Sequence, residues 1–353
     1  MQAANLQLPS GRPLRILAVK LSSFGDIIHA TGAFRALRNS LPQAEIVLAV
    51  EQRWADAVRY NPNLNSLIET SSCDRVSLSY LAEIRRSIST AGGFDVAIDF
   101  QGNRRSAAWV YMSGAPIKLG RGRYRPGWKL ATQPDAGRHA VEVCADICAR
   151  AGISAGNFDP EIYTNPRDEQ SLDAFLDSGE IVRTGFVLVN PFSRWYSKSW
   201  PEQNVAEFIQ RLAQSCDHPL ILTGGIEDRP RAERILQRLE PGKVTSLTGR
   251  LPLGQALCLF RRARLMVSCD SGPMHAAAAF GVPVVALFGP TFPERTGPWG
   301  ANHCVLQAAR PPEHAAYRTD FAGIYMQALD TKTVSDTVAE KLSSEFAAEC
   351  KSV

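Results

Sequence analysis

Seven short apolar runs punctuate this chain, with helical patterns between them. "RILAVK", "EIVLAV" (45–50) and "FDVAIDF" (94–100) lie in the first half; "GFVLVN" (185–190), "PLILTG" (219–224), "RLMVSC" (264–269) and "VPVVALFG" (282–289) lie in the second. A strand that is apolar at nearly every position suits a parallel sheet covered on both faces. Helical spacing follows at Ile27, Phe34 and Leu37, and again at Val205, Phe208, Ile209 and Leu212. Strand–helix alternation predicts doubly wound α/β sheets with right-handed crossovers. At 353 residues the chain exceeds what one core usually serves, so two domains are expected. We place an N-terminal Rossmann-like domain at 1–165 and a second at 166–330. A closing helix at 331–353 packs back on the body through Val334, Val338, Leu342 and Phe346. The polar, proline-containing stretch near 160–184 is the expected linker. Two such domains would face a central cleft, with ligands beyond the carboxyl ends of the strands.

Composition narrows the class. A 45% hydrophobic, 21% charged chain is ordinary globular protein. No run approaches the ~20 apolar residues that span a bilayer, and the N-terminus lacks the apolar core of a signal peptide. The eight cysteines include no C-x-x-C pair. They read as reduced thiols in a cytoplasmic protein rather than a disulfide framework or zinc site. The net charge of +4 is uneven. Between residues 100 and 139, Arg104, Arg105, Lys118, Arg121, Arg123, Arg125, Lys129 and Arg138 face one acid, Asp135, giving +7 against −3 elsewhere. Such a run is either a solvated face or a seat for an anion. No nucleic-acid motif accompanies it, and no nucleic-acid partner is expected.

Three strand ends in the second half carry complementary chemistry. In "MVSCDSGPMHAAAAFGVPVVALFGPT" (266–291) a strand runs into Asp270, Ser271, Gly272 and Pro273, then an alanine-rich helix. Proline suits a helix start, Gly272 permits close approach, and the first helical amides attract an anion such as a diphosphate. An Asp or Ser N-cap without a ligand explains the same turn. "LTGGIEDRPRAERI" sets Glu227 after two glycines, where a carboxylate can accept from ribose hydroxyls or offset a helix dipole. "NPFSRWYSKSWP" (190–201) supplies Ser193, Arg194 and Lys198, the lysine being either a cation for a leaving diphosphate or a surface side chain. Neither G-x-x-x-x-G-K-[ST] nor G-x-G-x-x-G occurs, and no D-x-D pair offers a metal seat. No metal and no cofactor are expected.

The first strand ends in "KLSSFGDIIHATGAFRAL" (20–37). Asp26 lies at the mouth of the following helix, where it caps the helix or acts as a general base on a hydroxyl. Gly25 leaves room for an acceptor, and Ser22 and Ser23 can also cap. His29, three residues after Asp26, shares its helix face and either orients the acceptor or is structural. His275 sits in the first turn of the later helix.

Together these segments resemble the lipopolysaccharide heptosyltransferases of glycosyltransferase family nine. The likeness runs through K-x-S-S-x-G-D, "FDVAIDFQGNRRSAAWV", "RHAVEV", the Lys198 and Glu227 loops and "DSGPMH". "DFQGNRRSA" and "RHAVE" look more like heptosyltransferase I than II. The resemblance implies a GT-B fold and inverting, metal-independent transfer of L-glycero-D-manno-heptose from ADP-heptose. The implied acceptor is a Kdo sugar of a Kdo-containing lipid A, reached peripherally at the cytoplasmic face of the inner membrane. It implies Asp26 as base, diphosphate and heptose contacts at Asp270, Ser271, Gly272 and His275, and donor-site loops at Lys198 and Glu227. The residues themselves make Lys198 a candidate catalytic cation and Ser193 a candidate donor contact. Candidate acceptor contacts are Ser22, Ser23, Gly25, His29, Arg104, Arg105, Arg121 and Arg123. Leu21 stands where some heptosyltransferases I have threonine, and no cysteine cluster follows "GPT". The alternatives are a family-nine enzyme with another nucleotide-sugar or acceptor, a GT-B epimerase, and a non-catalytic nucleotide-sugar-binding protein.

Overall fold

The computed structural model describes residues 12–121, 130–132, 137–153, 156–312 and 323–349. Contacts divide the chain into two units, Met1–Tyr163 and Thr164–Val353. Unit 1 holds the strands β1 (Arg15–Val19), β2 (Glu45–Glu51), β3 (Ser66–Thr70), β4 (Val96–Asp99), β5 (Ile117–Arg121) and β6 (Leu130–Thr132). Its helices are α1 (Phe24–Ser40), α2 (Leu78–Ala91), α3 (Arg104–Met112) and α4 (Ala140–Arg150). Among the described residues the strands form a parallel sheet in the order β3-β2-β1-β4-β5-β6. The chain winds outward from β1 to β3, then returns to β4 on the other side of β1. The β1/β4 boundary is therefore the topological switch point, where loops diverge and ligands bind in folds of this kind.

The unbroken apolarity of β1 has a direct cause. Ile16 and Ala18 join one core layer with Ile27, Phe34 and Leu37 of α1 and Ile147 of α4. Leu17 and Val19 point the other way, into a layer with Tyr80 and Ile84 of α2 and Trp109 of α3. Side chains alternate across the sheet, so a strand covered on both faces keeps polar residues only at its ends, as Arg15 and Glu51 show.

Unit 2 repeats the plan. Its strands are β7 (Val187–Asn190), β8 (Leu220–Leu222), β9 (Thr245–Ser246), β10 (Leu265–Cys269), β11 (Val284–Phe288) and β12 (Cys304–Gln307). Its helices are α5 (Pro166–Ser178), α6 (Glu202–Ser215), α7 (Arg229–Leu236), α8 (Leu253–Arg261), α9 (Gly272–Ala279), α10 (Pro293–Thr296), α11 (Ile324–Gln327) and α12 (Thr331–Glu349). The sheet order is β12-β11-β10-β7-β8-β9, which puts the switch point between β7 and β10. Val334, Val338 and Leu342 of α12 enter the same core layer as Val205, Phe208, Ile209 and Leu212 of α6. The side chain of Phe346 lies outside the described residues.

The stretch expected as linker is mostly helix. Asn165 caps α5 by accepting from the amides of Arg167 and Asp168 at 2.8 and 3.1 Å, and Pro166 opens the helix. Leu172 and Leu176 are buried, and α5 packs on α8. Pro166, one of the two prolines that suggested a tether, instead marks a helix start.

Candidate active site

In unit 1 the 20–23 turn is held by the strands on either side of β1. Lys20 N–H donates to the Ala49 carbonyl at 3.2 Å and Glu51 N–H to the Leu21 carbonyl at 3.0 Å. From the β4 side, the Gln101 side-chain oxygen accepts from Ser22 N–H at 3.1 Å. Ser23 then caps α1. Asp26, at the third helical position, turns back on it: Oδ2 accepts from Ser23 N–H at 3.2 Å and Ser23 Oγ at 2.7 Å. Its other oxygen, Oδ1, lies 3.9 Å from Lys20 Nζ. The Lys20 ammonium is buried and donates to the Phe100 carbonyl at 3.2 Å, whereas the Asp26 side chain is 46% exposed. Desolvation pushes the Asp26 carboxyl up, but the exposed half limits that effect. Lys20, the Ser23 hydroxyl, His29 and the Ser23 amide outweigh it and hold the group well below the usual carboxylate range.

The other predicted acceptor contacts fare differently. Ser22 and Gly25 are buried, and Ser23 is exposed. His29 is 3% exposed, its ring edge-on to His139 with centroids 5.2 Å apart. His139 caps α4, its Nδ1 accepting from Val141 N–H at 3.2 Å. His29 thus sits in the α1–α4 packing. Within the basic island, Arg104 is exposed at the start of α3. Arg121 lies along Gly102 of the β4–α3 loop, its Cγ 3.0 Å from where a Cβ would stand. Arg105 is turned inward onto Glu51 and Ser22. Lys118 donates to the Ala115 carbonyl before β5, and Arg138 pairs with Glu142 and Asp146. Arg123, Arg125 and Lys129 lie outside the described residues.

In unit 2 the loops after β7 and β10 meet at the switch point. Lys198 Nζ contacts Asp270 Oδ2 at 2.7 Å, with the two side chains 15% and 6% exposed. Ser193 Oγ donates to the Asp270 carbonyl at 3.1 Å. Asn190, the last residue of β7, donates through Nδ2 to Ser271 Oγ at 3.0 Å. That bond draws the Ser271 hydroxyl away from α9, and no side chain caps the helix. The capping explanation of the Asp270–Ser271 turn therefore does not hold: Asp270 faces Lys198, Ser271 faces Asn190, and the α9 amides are left to the anion-attracting role. His275 is buried in the first turn of α9. Burial pushes the Cys269 thiol up to about 12, so it serves packing beneath the turn. Glu227 is exposed on a one-turn helix after β8. A Cβ at Gly225 would stand 2.6 Å from the Glu227 carboxylate, the free end of an exposed side chain that can shift aside. Arg231 on α7 steadies the Lys198 loop, donating to Ser199 Oγ at 3.1 Å and stacking over Phe192 and Tyr196.

Sequence reasoning did not single out Lys20, Glu51, Gln101, Asn190 or Arg231. The available signal was a polar residue at the carboxyl end of an apolar strand, which applies to Lys20, Glu51 and Asn190. Among the described residues, no three His, Cys, Asp or Glu side chains gather in a group able to hold a metal. Nor is any described helix long and apolar enough to cross a membrane.

Comparison with known proteins adds an independent line. The family model described as glycosyltransferase family 9 (heptosyltransferase) matches residues 82–325. The chain is 26% identical over 321 residues to lipopolysaccharide heptosyltransferase 1 of Pseudomonas aeruginosa, covering 84% of this chain and 85% of that one. Escherichia coli heptosyltransferase 2 matches at the same 26%, over 90% of this chain and 94% of its own. A family-9 glycosyl transferase structure from Veillonella parvula superposes with a TM-score of 0.84 at 25% identity, covering 96% of this chain and 99% of that one. Escherichia coli heptosyltransferase WaaC with ADP shares the fold at a TM-score of 0.71 and 23% identity, over 93% of this chain and 100% of that one. The fold class is GT-B, as the sequence resemblance implied.

Proposed function

The chain belongs to glycosyltransferase family 9, the heptosyltransferases, and from that premise we propose that it transfers heptose from ADP-heptose to a Kdo sugar of the lipopolysaccharide inner core, with inversion and without a metal. The observation that carries the donor half is the uncapped start of α9 beside the Lys198–Asp270 pair. A diphosphate laid on those amides meets a fixed ammonium, and charge developing on the leaving group is stabilised by preorganised donors. Glu227, exposed beyond Gly225, suits the ribose hydroxyls. Asp26 takes the acceptor proton through Oδ1 while Oδ2 keeps the helix capped. A low pKa keeps that carboxylate ionised at neutral pH; proton removal then accompanies attack rather than preceding it.

Escherichia coli heptosyltransferase WaaC, which shares the fold, was solved with ADP, and we read adenine as the donor base here too. Relatives named heptosyltransferase 1 and 2 match equally well in identity, so a heptose-terminated acceptor is the second reading. Titration calorimetry with ADP-heptose, ADP-glucose, UDP-glucose and GDP-mannose tests the donor, and preference for any other nucleotide-sugar refutes it. Transfer assays with Kdo-terminated and heptose-terminated acceptors separate the two acceptor readings. The same assay should be unaffected by EDTA. Loss of transfer on chelation, restored by magnesium, would refute the metal-free account.

A further inference from the structure

We propose that Glu51 and Arg105 are positioning residues: together they clamp the 20–23 turn so that Asp26 presents its Oδ1 to the acceptor hydroxyl. The proposal rests on the reading of Asp26 as the base. Glu51 is the last residue of β2 and its side chain is fully buried. Its carboxylate accepts from Arg105 Nη1 at 2.6 Å, Arg53 Nη2 at 2.7 Å and Ser72 Oγ at 2.8 Å. A carboxylate shut off from water needs such replacements for its lost hydration. The second terminal nitrogen of Arg105 goes on to Ser22 Oγ at 3.1 Å. One guanidinium thus ties the strand end to the turn before Asp26. Glu51 also reaches the turn through its backbone, donating to the Leu21 carbonyl at 3.0 Å.

From the other side of β1, Gln101 accepts from Ser22 N–H and the Phe100 carbonyl accepts from Lys20. The turn is therefore gripped from both neighbouring strands, and Ser22 is bonded on both its backbone and its hydroxyl. A planar fork can hold a carboxylate with one nitrogen and a hydroxyl with the other, which a lysine ammonium does with less fixed geometry. The Arg105 side chain is only 18% exposed, so it is placed to hold the turn and not to meet a substrate. A small displacement of a reacting group far exceeds the cost of the lost bond itself, because the proton acceptor must lie within hydrogen-bonding reach of the hydroxyl.

The test uses the full-length enzyme and compares Glu51→Gln, Arg105→Met, Arg105→Lys and Ser22→Ala. Four quantities are read: kcat, acceptor KM, ADP-heptose affinity and amide hydrogen exchange across residues 20–27. Glu51→Gln and Arg105→Met should lower kcat about 10–100-fold and speed exchange of the turn. Acceptor KM and donor affinity should stay within about twofold of wild type, since binding is not what is lost. The double variant should be no worse than either single one, because the two residues act as a unit. Arg105→Lys should recover part of the rate. Ser22→Ala leaves the buried pair intact, should lose a few-fold in kcat, and keeps the test decisive if Glu51→Gln does not fold. Unchanged kcat and exchange in Ser22→Ala and Arg105→Met, with Asp26→Asn inactive, overturns the clamp. A raised acceptor KM at constant kcat in Arg105→Met makes Arg105 a direct acceptor contact and also overturns it. Full turnover in Asp26→Asn is a separate result, which sinks the base reading on which the clamp depends.

Discussion

A carboxylate that caps its own helix and also takes a proton must keep one oxygen out of the cap. Asp26 does so, with Oδ2 on Ser23 and Oδ1 toward Lys20, in a side chain that is 46% exposed. Asp26→Asn retains an oxygen for the Ser23 cap but cannot accept the acceptor proton. Turnover should fall about 10²–10⁴-fold with calorimetric donor affinity unchanged; near-normal turnover removes Asp26 as base. The depressed pKa also sets the pH profile. The active form is the carboxylate, so activity is lost only as pH falls through the depressed value. The rate should be flat down to about pH 5, roughly a unit above an ordinary aspartate. Lys20→Met removes the largest attraction that lowers the pKa, so the acid limb should move upward. An acid limb at the same pH in both proteins would show that Lys20 does not act on Asp26.

Helix α1 must be a close neighbour of the segment that follows α4, and Gly32 is where they meet. A Cβ at Gly32 would stand 2.1 Å from the Phe158 carbonyl oxygen, a backbone atom. That segment has little freedom to retreat. Arg35 donates to the Asn157 and Asp159 carbonyls at 3.1 and 3.0 Å, and Glu161 N–H donates to Thr31 Oγ1 at 2.8 Å. Gly32→Ala should therefore destabilise the protein by about 1–3 kcal/mol, seen as a lower denaturation midpoint. Gly137→Ala, which meets open space, is the matched control. Equal midpoints for the two variants would mean that the strap yields without cost. In "HATGAFRAL" Gly32 looks like an ordinary weak point in a helix, since its partner is remote in sequence. The apolar spacing around it, by contrast, is local and marks α1 unambiguously.

On the scale of the molecule, charge is less free than its distribution along the chain suggests. Arg105, Lys118 and Arg138 are engaged inside unit 1, which leaves Arg104 and Arg121 as the described members of the island closest to the β4–α3 loop. Removing both charges should raise the apparent acceptor KM, at about 1 kcal/mol or roughly fivefold per residue near an anionic lipid surface. ADP-heptose affinity should be unchanged, and the effect should shrink as salt screens the wild type. Acceptor kinetics untouched at every salt concentration would make the island a solvated face. The central strands β1, β2, β4, β7, β8, β10 and β11 were all legible as apolar runs, because burial on both faces leaves its mark on every residue. The edge strands β3, β6, β9 and β12 were not, since a strand such as β3, with Ser66 and Glu69 exposed, carries no such mark; nor was β5, which is paired on both sides but interrupted by Lys118 and Arg121. Helix starts and glycine turns were likewise readable, because they answer to local backbone geometry. The partners were not. Glu51 with Arg105 and Ser22, Lys198 with Asp270, and Asn190 with Ser271 depend on which strand lies beside which. Periodicity tells a side chain which face of a sheet it occupies, but only the order of strands decides whose side chain it meets there.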